Sequence, residues 1–237
     1  MAHAFDIAAR RARQFRQSLA MRPPRPEIGL EALQARFDAP TPERGQDPAA
    51  VIEALADAAE PGLMAAPGPR FFGWVIGASH EAGVAADWLT SAWGQNAGLF
   101  ACAPAAAMAE KVAARWLLDM LRLPPECSVG FVTGATMANF TCLAAARNAM
   151  LALKGWDVEA DGLCGAPRPR VIVGEEAHAT VFAALRYLGL GADCALRLPA
   201  DQQGRMDVGA LAAALEQAHG PLRRRDVVGA PPPAPPG

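Results

Sequence analysis

The hydrophobic pattern of the second half of the chain alternates between short apolar runs and longer segments with helical periodicity. The apolar runs are SVGFVT (128–133), RVIVG (170–174) and CALRL (194–198). The segments with helical periodicity that follow them cover 136–153, 177–188 and 207–218. Apolar strands that alternate with helices are typical of a parallel sheet covered on both faces. The pattern therefore predicts an α/β fold for this region.

The first half of the chain shows helical periodicity without comparable strands. Helices are predicted over 4–21, 31–37, 48–59, 79–93 and 104–121. Asp47 and Pro48 are placed as the N-cap and first residue of the third helix, because Asp accepts hydrogen bonds from first-turn N–H groups and Pro lacks an N–H that would stay unpaired. The segment PGLMAAPGPRFFGWVIG (61–77) is predicted as a loop that ends in an aromatic extended stretch.

This pattern divides the chain into three regions. We predict an N-terminal helical arm over 1–95, a partial α/β large domain over 96–220, and an Arg- and Pro-rich disordered tail over 221–237. The tail contains a proline tract, which cannot continue a sheet because proline has no backbone N–H to donate.

Composition narrows the possible functions. The chain has 237 residues, of which 52% are hydrophobic and 19% charged, enough to bury a core. A net charge of −2 with scattered basic residues predicts no nucleic-acid partner. No apolar run is long enough to span a bilayer and the N-terminus lacks a signal-peptide core, so no membrane partner and a cytoplasmic location are expected. The five cysteines form no CxxC pair and the four histidines have no ligand spacing, so neither a metal site nor a disulfide is predicted.

The segment GFVTGATMANF (130–140) has the residues of a phosphate-binding turn. Gly134 and Ala135 are small enough for their backbone N–H groups to approach a ligand, and Thr136 offers a hydroxyl where the next helix begins. Free N–H groups and the helix dipole favour a phosphate at such a position. The segment matches neither GxxxxGK[ST] nor GxGxxG. An ordinary strand-to-helix turn capped by threonine has the same local sequence, and the segment alone does not separate the two.

The segment VGEEAHATV (173–181) contains a second candidate, His178. It follows a strand and is predicted in the first turn of a helix. In a parallel sheet that position faces the crevice at the carboxyl ends of the strands, where ligands bind. The alternative is a solvent-exposed histidine that only caps the helix.

Five segments in order carry a resemblance. They are PRFFGWVIG, PAAAMAEKVAARWLLDMLRLP, GFVTGATMANF, VGEEAHATVFAALRYLGLG and GRMDVGALAAAL, and they extend from about residue 65 to 220. Together they resemble the group II pyridoxal-phosphate-dependent amino-acid decarboxylases, which include the aromatic amino-acid, histidine and glutamate decarboxylases. The resemblance implies an aspartate-aminotransferase-like fold (fold type I), here an incomplete large domain preceded by a helical segment. It also implies a homodimer for the full-length parent.

The resemblance assigns roles to the candidate residues. It implies that Gly134, Ala135 and Thr136 hold the phosphate of pyridoxal 5′-phosphate through backbone N–H groups and a hydroxyl. His178 would stack on the pyridine ring of the cofactor and help to position the substrate carboxylate. Trp74 would lie near the substrate side chain.

The sequence departs from the family at the Schiff-base lysine. The chain has two lysines, Lys111 and Lys154, and neither stands where the family places the lysine that bonds to the cofactor. In the family that lysine, and the aspartate that pairs with the pyridinium nitrogen, lie downstream of the histidine. After GP at 220–221 the family would continue with an apolar strand, but here RRRDVVGAPPPAPPG follows. The expectation is a truncated or frameshifted chain without the Schiff-base lysine.

Three functional hypotheses remain open from the sequence. The first is a pyridoxal-phosphate-dependent amino-acid decarboxylase, a carboxy-lyase, which His178 and the PRFFGW segment favour. The second is another fold-type I enzyme, such as an aminotransferase or a C–C or C–S lyase. The third is a non-catalytic fragment that acts only through partner binding.

Overall fold

Residues 3–216 of the chain are described by a computed structural model, in which the chain divides after Asn96 into two units. The first unit consists of helices joined by loops. Its helices are α1 (Ala4–Ser18), α2 (Leu30–Phe37), α3 (Pro48–Ala59) and α4 (Glu81–Trp93), with a 3₁₀ turn at Glu60–Gly62. All four predicted helices of this region are therefore confirmed.

Helix α3 begins as its sequence predicts. The side chain of Asp47 accepts a hydrogen bond from the N–H of Ala50 at 3.0 Å, and Pro48 is the first helical residue. Helix α1 packs against α3 through Arg11, whose guanidinium donates to both Glu53 and Asp57. The hydrogen bond from Arg11 holds the pKa of the Glu53 carboxyl below its usual range.

The predicted extended stretch at the end of segment 61–77 is wrong. Trp74 and Val75 have φ angles of 57° and 52°, in the left-handed region, and form a turn. A strand needs a ladder partner, and within residues 3–216 none pairs with this segment. The rings of Phe71 and Trp74 instead contact each other, with centroids 5.9 Å apart. For a β-branched residue such as Val75 this backbone conformation costs about 1–2 kcal/mol.

The second unit begins at Ala97 and contains the sheet. Its helices are α5 (Pro104–Met120), α6 (Ala135–Ala152), α7 (Val158–Asp161), α8 (Ala179–Tyr187) and α9 (Val208–Glu216). Its strands are β1 (Val171–Gly174) and β2 (Ala195–Leu198), with a 3₁₀ turn at Ala192–Cys194 before β2. The four longer helices were predicted, although the last predicted residues of α9 and the tail at 221–237 lie outside the described residues. The short α7 was not predicted, because four residues are too few to show helical periodicity.

Strands β1 and β2 pair in parallel, as their apolar sequences predict. Val171 lies opposite Ala195 and Gly174 opposite Leu198. On one face Val171 and Val173 pack against Phe182 and Leu185 of α8. On the other face Ile172 and Leu198 pack against Ala214 of α9, with Met206 and Leu211 beside them. The prediction of a parallel sheet covered on both faces is therefore confirmed.

The predicted strand at 128–133 is not formed. Among the described residues β1 and β2 pair only with each other, so this segment has no ladder to join. Phe131 and Val132 remain 51% and 39% exposed. An apolar run encodes the ability to form a strand, but the hydrogen bonds of a strand come from its neighbour.

No helix within residues 3–216 combines the length and the apolar character needed to cross a bilayer.

Candidate functional site

The N-terminus of α6 presents unpaired backbone donors to solvent. The first hydrogen bond into the helix runs from the N–H of Ala138 to the carbonyl of Gly134 at 3.0 Å. The N–H groups of residues 135–137 therefore have no acceptor within the helix. Gly134 is the N-cap, with extended backbone, and no side chain within residues 3–216 caps the helix. The threonine-capped turn that the sequence left open is therefore not what forms here.

The surroundings of this N-terminus fit a phosphate. Residues 133–137 are exposed, and a Cβ on Gly134 would lie more than 4 Å from any atom of the part of the chain that the structure describes, apart from its immediate neighbours. Within residues 3–216 the hydroxyl of Thr136 has no hydrogen-bond partner, so it is available to a ligand. Several N–H groups, one hydroxyl and the positive end of the helix dipole are the donors that bind a phosphate dianion.

His178 is the N-cap of α8, one residue before the first turn in which the sequence placed it. Its backbone is extended, with φ −60° and ψ 145°. Its Nδ1 accepts from the N–H of Thr180 at 3.3 Å and lies 2.9 Å from Thr180 Oγ1. The ring is exposed, and across the described residues its Nε2 has no partner. The capping alternative is thus realised through Nδ1, while Nε2 and the ring faces stay free for a ligand.

Helices α6 and α8 run side by side in the same direction. Near their N-termini, Asn139 Nδ2 donates to Thr180 Oγ1 at 3.0 Å, and farther along Arg147 Nη1 donates to the carbonyl of Leu188 at 3.0 Å. The two contact points are eight residues apart on α6, and also eight residues apart between Thr180 and Leu188, the C-cap of α8. Both N-termini therefore lie at one end of the layer. Because α8 follows the carboxyl end of β1, that end is where ligands bind in parallel sheets.

The structure thus places Gly134, Ala135, Thr136 and His178 at the same edge of the second unit. Two polar residues at this edge, Asn139 and Thr180, were missed from the sequence. Asn139 follows Thr136 by three positions and so shares a face of α6 with it. Their role depends on the contact between the N-terminal ends of α6 and α8, which the sequence of either helix alone does not predict.

Trp74 belongs to the first unit. Its side chain is 74% exposed, so its indole offers an apolar surface to a ligand or a partner. Its assignment to the substrate side chain stays a prediction.

Both lysines are exposed, Lys111 on α5 and Lys154 just beyond the C-terminal end of α6. The 18 residues of α6 extend about 27 Å at 1.5 Å per residue. Lys154 therefore lies at the opposite end of α6 from Thr136 and cannot reach a carbonyl group held close to that threonine.

A cavity of about 910 Å³ opens elsewhere in the second unit, between residues 163–170 and 189–194. These residues precede β1 and β2, so the cavity lies at the amino ends of the strands. Burial raises the pKa of the Cys194 thiol beside it, which makes that cysteine a weak nucleophile. Ligand sites of parallel sheets lie at the carboxyl ends, and the candidate site is therefore the α6–α8 edge.

Among residues 3–216, no group of three or more His, Cys, Asp or Glu side chains is arranged to hold a metal ion.

Known proteins match the chain over most of its length. A family model described as the pyridoxal-dependent decarboxylase conserved domain matches residues 31–221. An aromatic-L-amino-acid decarboxylase from Bacillus atrophaeus is 28% identical over 193 residues, which cover 81% of this chain and 38% of that protein.

Solved structures match the fold. The glutamate decarboxylase domain of a Vibrio parahaemolyticus protein superposes with a TM-score of 0.82 at 20% identity, covering 91% of this chain and 47% of that one. Oryza sativa TDC, solved with PLP and tryptamine, gives a TM-score of 0.78 at 24% identity, covering 91% and 45%. These likenesses confirm the expected aspartate-aminotransferase-like large domain. The chain spans less than half the length of each of these proteins.

Proposed function

Because the chain belongs to the pyridoxal-dependent decarboxylase family, we propose that it forms the cofactor-binding part of an amino-acid decarboxylase, a carboxy-lyase that uses pyridoxal 5′-phosphate. One observation carries the proposal: the parallel packing of α6 and α8 brings an uncapped helix N-terminus and the free Nε2 of His178 to one edge. The hydrogen-bond donors of the helix N-terminus would bind the cofactor phosphate. The imidazole would contact the pyridine ring and the substrate carboxylate.

The residues of the α6 N-terminus would hold the cofactor phosphate. The N–H groups of Ala135 and Thr136 would donate to phosphate oxygens, the Thr136 hydroxyl would donate another hydrogen bond, and the space around Gly134 is open to a ligand. Charge-assisted bonds of this kind contribute about 1.5–3 kcal/mol each.

His178 would act at the other end of the ligand. Its ring face can stack on a pyridine ring, and its Nε2–H can donate to the carboxylate of the substrate. When bound, pyridoxal phosphate withdraws electrons from the α-carbon of an amino acid, which lets that carboxylate leave as carbon dioxide. His178 would orient the carboxylate, and its cap on α8 keeps the ring at the edge of the sheet.

The lysine that bonds to the cofactor in the family is proposed to be neither Lys111 nor Lys154. Lys154 stands about 27 Å along α6 from the proposed phosphate site. The complete reaction is therefore proposed for the parent protein, of which this chain would supply phosphate binding and carboxylate orientation.

We further propose a cytoplasmic homodimer for the parent. The five cysteines are unpaired, which suits a reducing compartment. Large apolar side chains are exposed in each unit, among them Trp93 and Leu99, and such surface is typical of subunit contacts. Sedimentation of the parent protein at high concentration should give the mass of a dimer. The mass of a monomer would contradict the proposed dimer.

The proposed function is tested with two stable conjugates of the cofactor, N-phosphopyridoxyl-tryptophan and N-phosphopyridoxyl-tryptamine, which differ only in the carboxylate. We expect the chain to bind the tryptophan conjugate at least about 10-fold more tightly, because a hydrogen bond to a charged group contributes 1.5–3 kcal/mol. Isothermal titration calorimetry measures both affinities. A site that binds the phosphate alone would bind both conjugates equally, so the carboxylate preference is the quantity that tests the role of His178.

His178→Ser is the matching variant, because serine still caps a helix but has no ring. It should reduce the preference between the conjugates to near one. His80→Ser is the control, since His80 caps α4 in the same way, through its Nδ1 and the N–H of Ala82. Equal affinities for the two conjugates in the unmodified chain would contradict the assignment of His178 to the carboxylate.

A further inference from the structure

A chain of hydrogen bonds connects the second turn of α6 to the ring of His178. Asn139 Nδ2 lies 3.0 Å from Thr180 Oγ1, and that same oxygen lies 2.9 Å from His178 Nδ1. Asn139 and Thr180 are both half-buried between the two helices, whereas His178 is exposed. The bond between Asn139 and Thr180 is partly shielded from competing water, so the position of the Thr180 hydroxyl is better defined than that of a surface group, whereas its contact with His178 is exposed.

The direction of each hydrogen bond follows from the donors available. The backbone N–H of Thr180 can only donate, so His178 Nδ1 is an acceptor and carries no proton in the neutral ring. The amide NH₂ of Asn139 donates to the Thr180 hydroxyl, which leaves the hydroxyl proton free to donate to Nδ1. All donors therefore point toward Nδ1, and the imidazole proton is left on Nε2.

The chain of hydrogen bonds from Asn139 through the Thr180 hydroxyl to His178 is called the relay below. The two other described histidines cap helices without such a relay. His3 and His80 also cap helices by accepting a backbone N–H at Nδ1, at 3.3 and 3.2 Å. Among residues 3–216, only His178 has a hydroxyl as a second donor at Nδ1, and that hydroxyl is held by an amide from another helix. Capping alone needs the backbone N–H and does not need Asn139.

We propose that Asn139, acting through the Thr180 hydroxyl, is a positioning residue that fixes the ring of His178 and keeps its proton on Nε2. This inference rests on the proposed role of His178 toward the substrate carboxylate, because a carboxylate can accept only from a protonated Nε2. The relay also joins the two halves of the site. Asn139 lies one turn along α6 from Thr136, so the helix that would hold the phosphate also sets the orientation of the imidazole.

The tautomer of His178 in the full 237-residue chain is the direct readout. Nitrogen-15 NMR of the neutral imidazoles gives the fraction of each ring protonated at Nε2. We expect this fraction to be higher for His178 than for His80. In Asn139→Leu and in Thr180→Val it should fall to the level of His80, while His80 itself stays unchanged.

Further variants separate positioning from simple destabilisation. Thr180→Val keeps the shape of the side chain and the backbone N–H but removes the hydroxyl. Thr180→Ser keeps the hydroxyl, so its His178 tautomer fraction should equal that of the unmodified chain. The double variant Asn139→Leu with Thr180→Val should show no further loss, since both changes break one chain. If Asn139→Leu does not fold, Thr180→Val and Thr180→Ser decide the question by themselves. An unchanged His178 tautomer in folded Thr180→Val would overturn the proposal.

The conjugate pair distinguishes failure of this inference from failure of the proposed function. Asn139→Leu should reduce the preference for the tryptophan conjugate by about 3- to 10-fold, the effect of one lost hydrogen bond, and should change the affinity for pyridoxal phosphate itself by a smaller factor than the preference. A preference that persists undiminished in Asn139→Leu overturns the positioning role but leaves the function standing. The unmodified chain could instead bind both conjugates equally while the His178 tautomer changes in the variants as expected. That result would overturn the proposed function, and the relay would then position the ring without a role toward the carboxylate.

Discussion

Replacing Thr136 with glutamate is expected to abolish saturable binding of pyridoxal phosphate to the chain. The substitution puts a carboxylate at the second residue of α6, where the N–H groups of residues 135–137 have no acceptor in the helix. The carboxylate removes the hydroxyl donor, competes for the same N–H groups and repels the phosphate dianion. Loss of one charge-assisted bond alone costs about 10- to 100-fold, and the added repulsion raises that loss further.

The control for this variant lies on the same helix. Thr141 is also exposed but stands more than one turn farther along α6, away from the free N–H groups. Thr141→Glu should change the affinity by no more than about 2-fold, because the effect of a helix terminus falls off within its first turn. Thr136→Ala should be intermediate, with a loss of about 10-fold or more. Isothermal titration calorimetry measures all three, and equal losses for the two glutamate variants would refute the phosphate site.

The second large effect is expected for Leu185→Ala, with a fall of about 2–5 kcal/mol in the free energy of unfolding. Leu185 is 0% exposed and packs with Val171, Val173 and Phe182, so it joins α8 to the sheet. Loss of that contact leaves a cavity under the helix whose N-cap is His178. The variant should therefore lose the carboxylate preference together with its stability.

Leu153→Ala is the matched control, because Leu153 is 63% exposed and follows the end of α6. It should lower the free energy of unfolding by less than about 0.5 kcal/mol. Far-UV circular dichroism during urea unfolding measures both variants. Similar urea midpoints for the two alanine variants would show that the β1–α8 contact does not support the fold as described.

Local patterns predicted those elements whose structure depends on their own residues. Asp47 and Pro48 define the start of α3, and the runs RVIVG and CALRL became the paired strands because each has the other beside it. The run SVGFVT is also apolar but has no ladder partner among the described residues, so the strand predicted there does not form. The extended stretch predicted at Trp74 and Val75 does not form either, because it also has no ladder partner among the described residues. These two residues form a turn, and the ring of Trp74 contacts that of Phe71.

The sequence predicted the separate parts of the candidate site but not the hydrogen bonds that connect them. Small residues before α6 and a histidine after β1 are visible in the sequence as ligand-binding types. The choice between a capping and a ligand-binding His178 was open, and the structure shows that one ring can do both, through different nitrogens. The link through Asn139 and Thr180 spans 41 residues of sequence and depends on how α6 packs against α8. No periodicity or motif encodes such a contact.

We propose that pyridoxal phosphate binds at the α6–α8 edge and not in the cavity at the amino ends of the strands. Titration of the nitrogen-15-labelled chain with pyridoxal phosphate, followed by amide and imidazole NMR, tests this most directly. The amides of Ala135, Thr136 and Met137 and the ring of His178 should shift together with one dissociation constant, while residues 189–194 stay unchanged. Shifts confined to residues 163–170 and 189–194, with the α6 N-terminus and His178 unaffected, would contradict it.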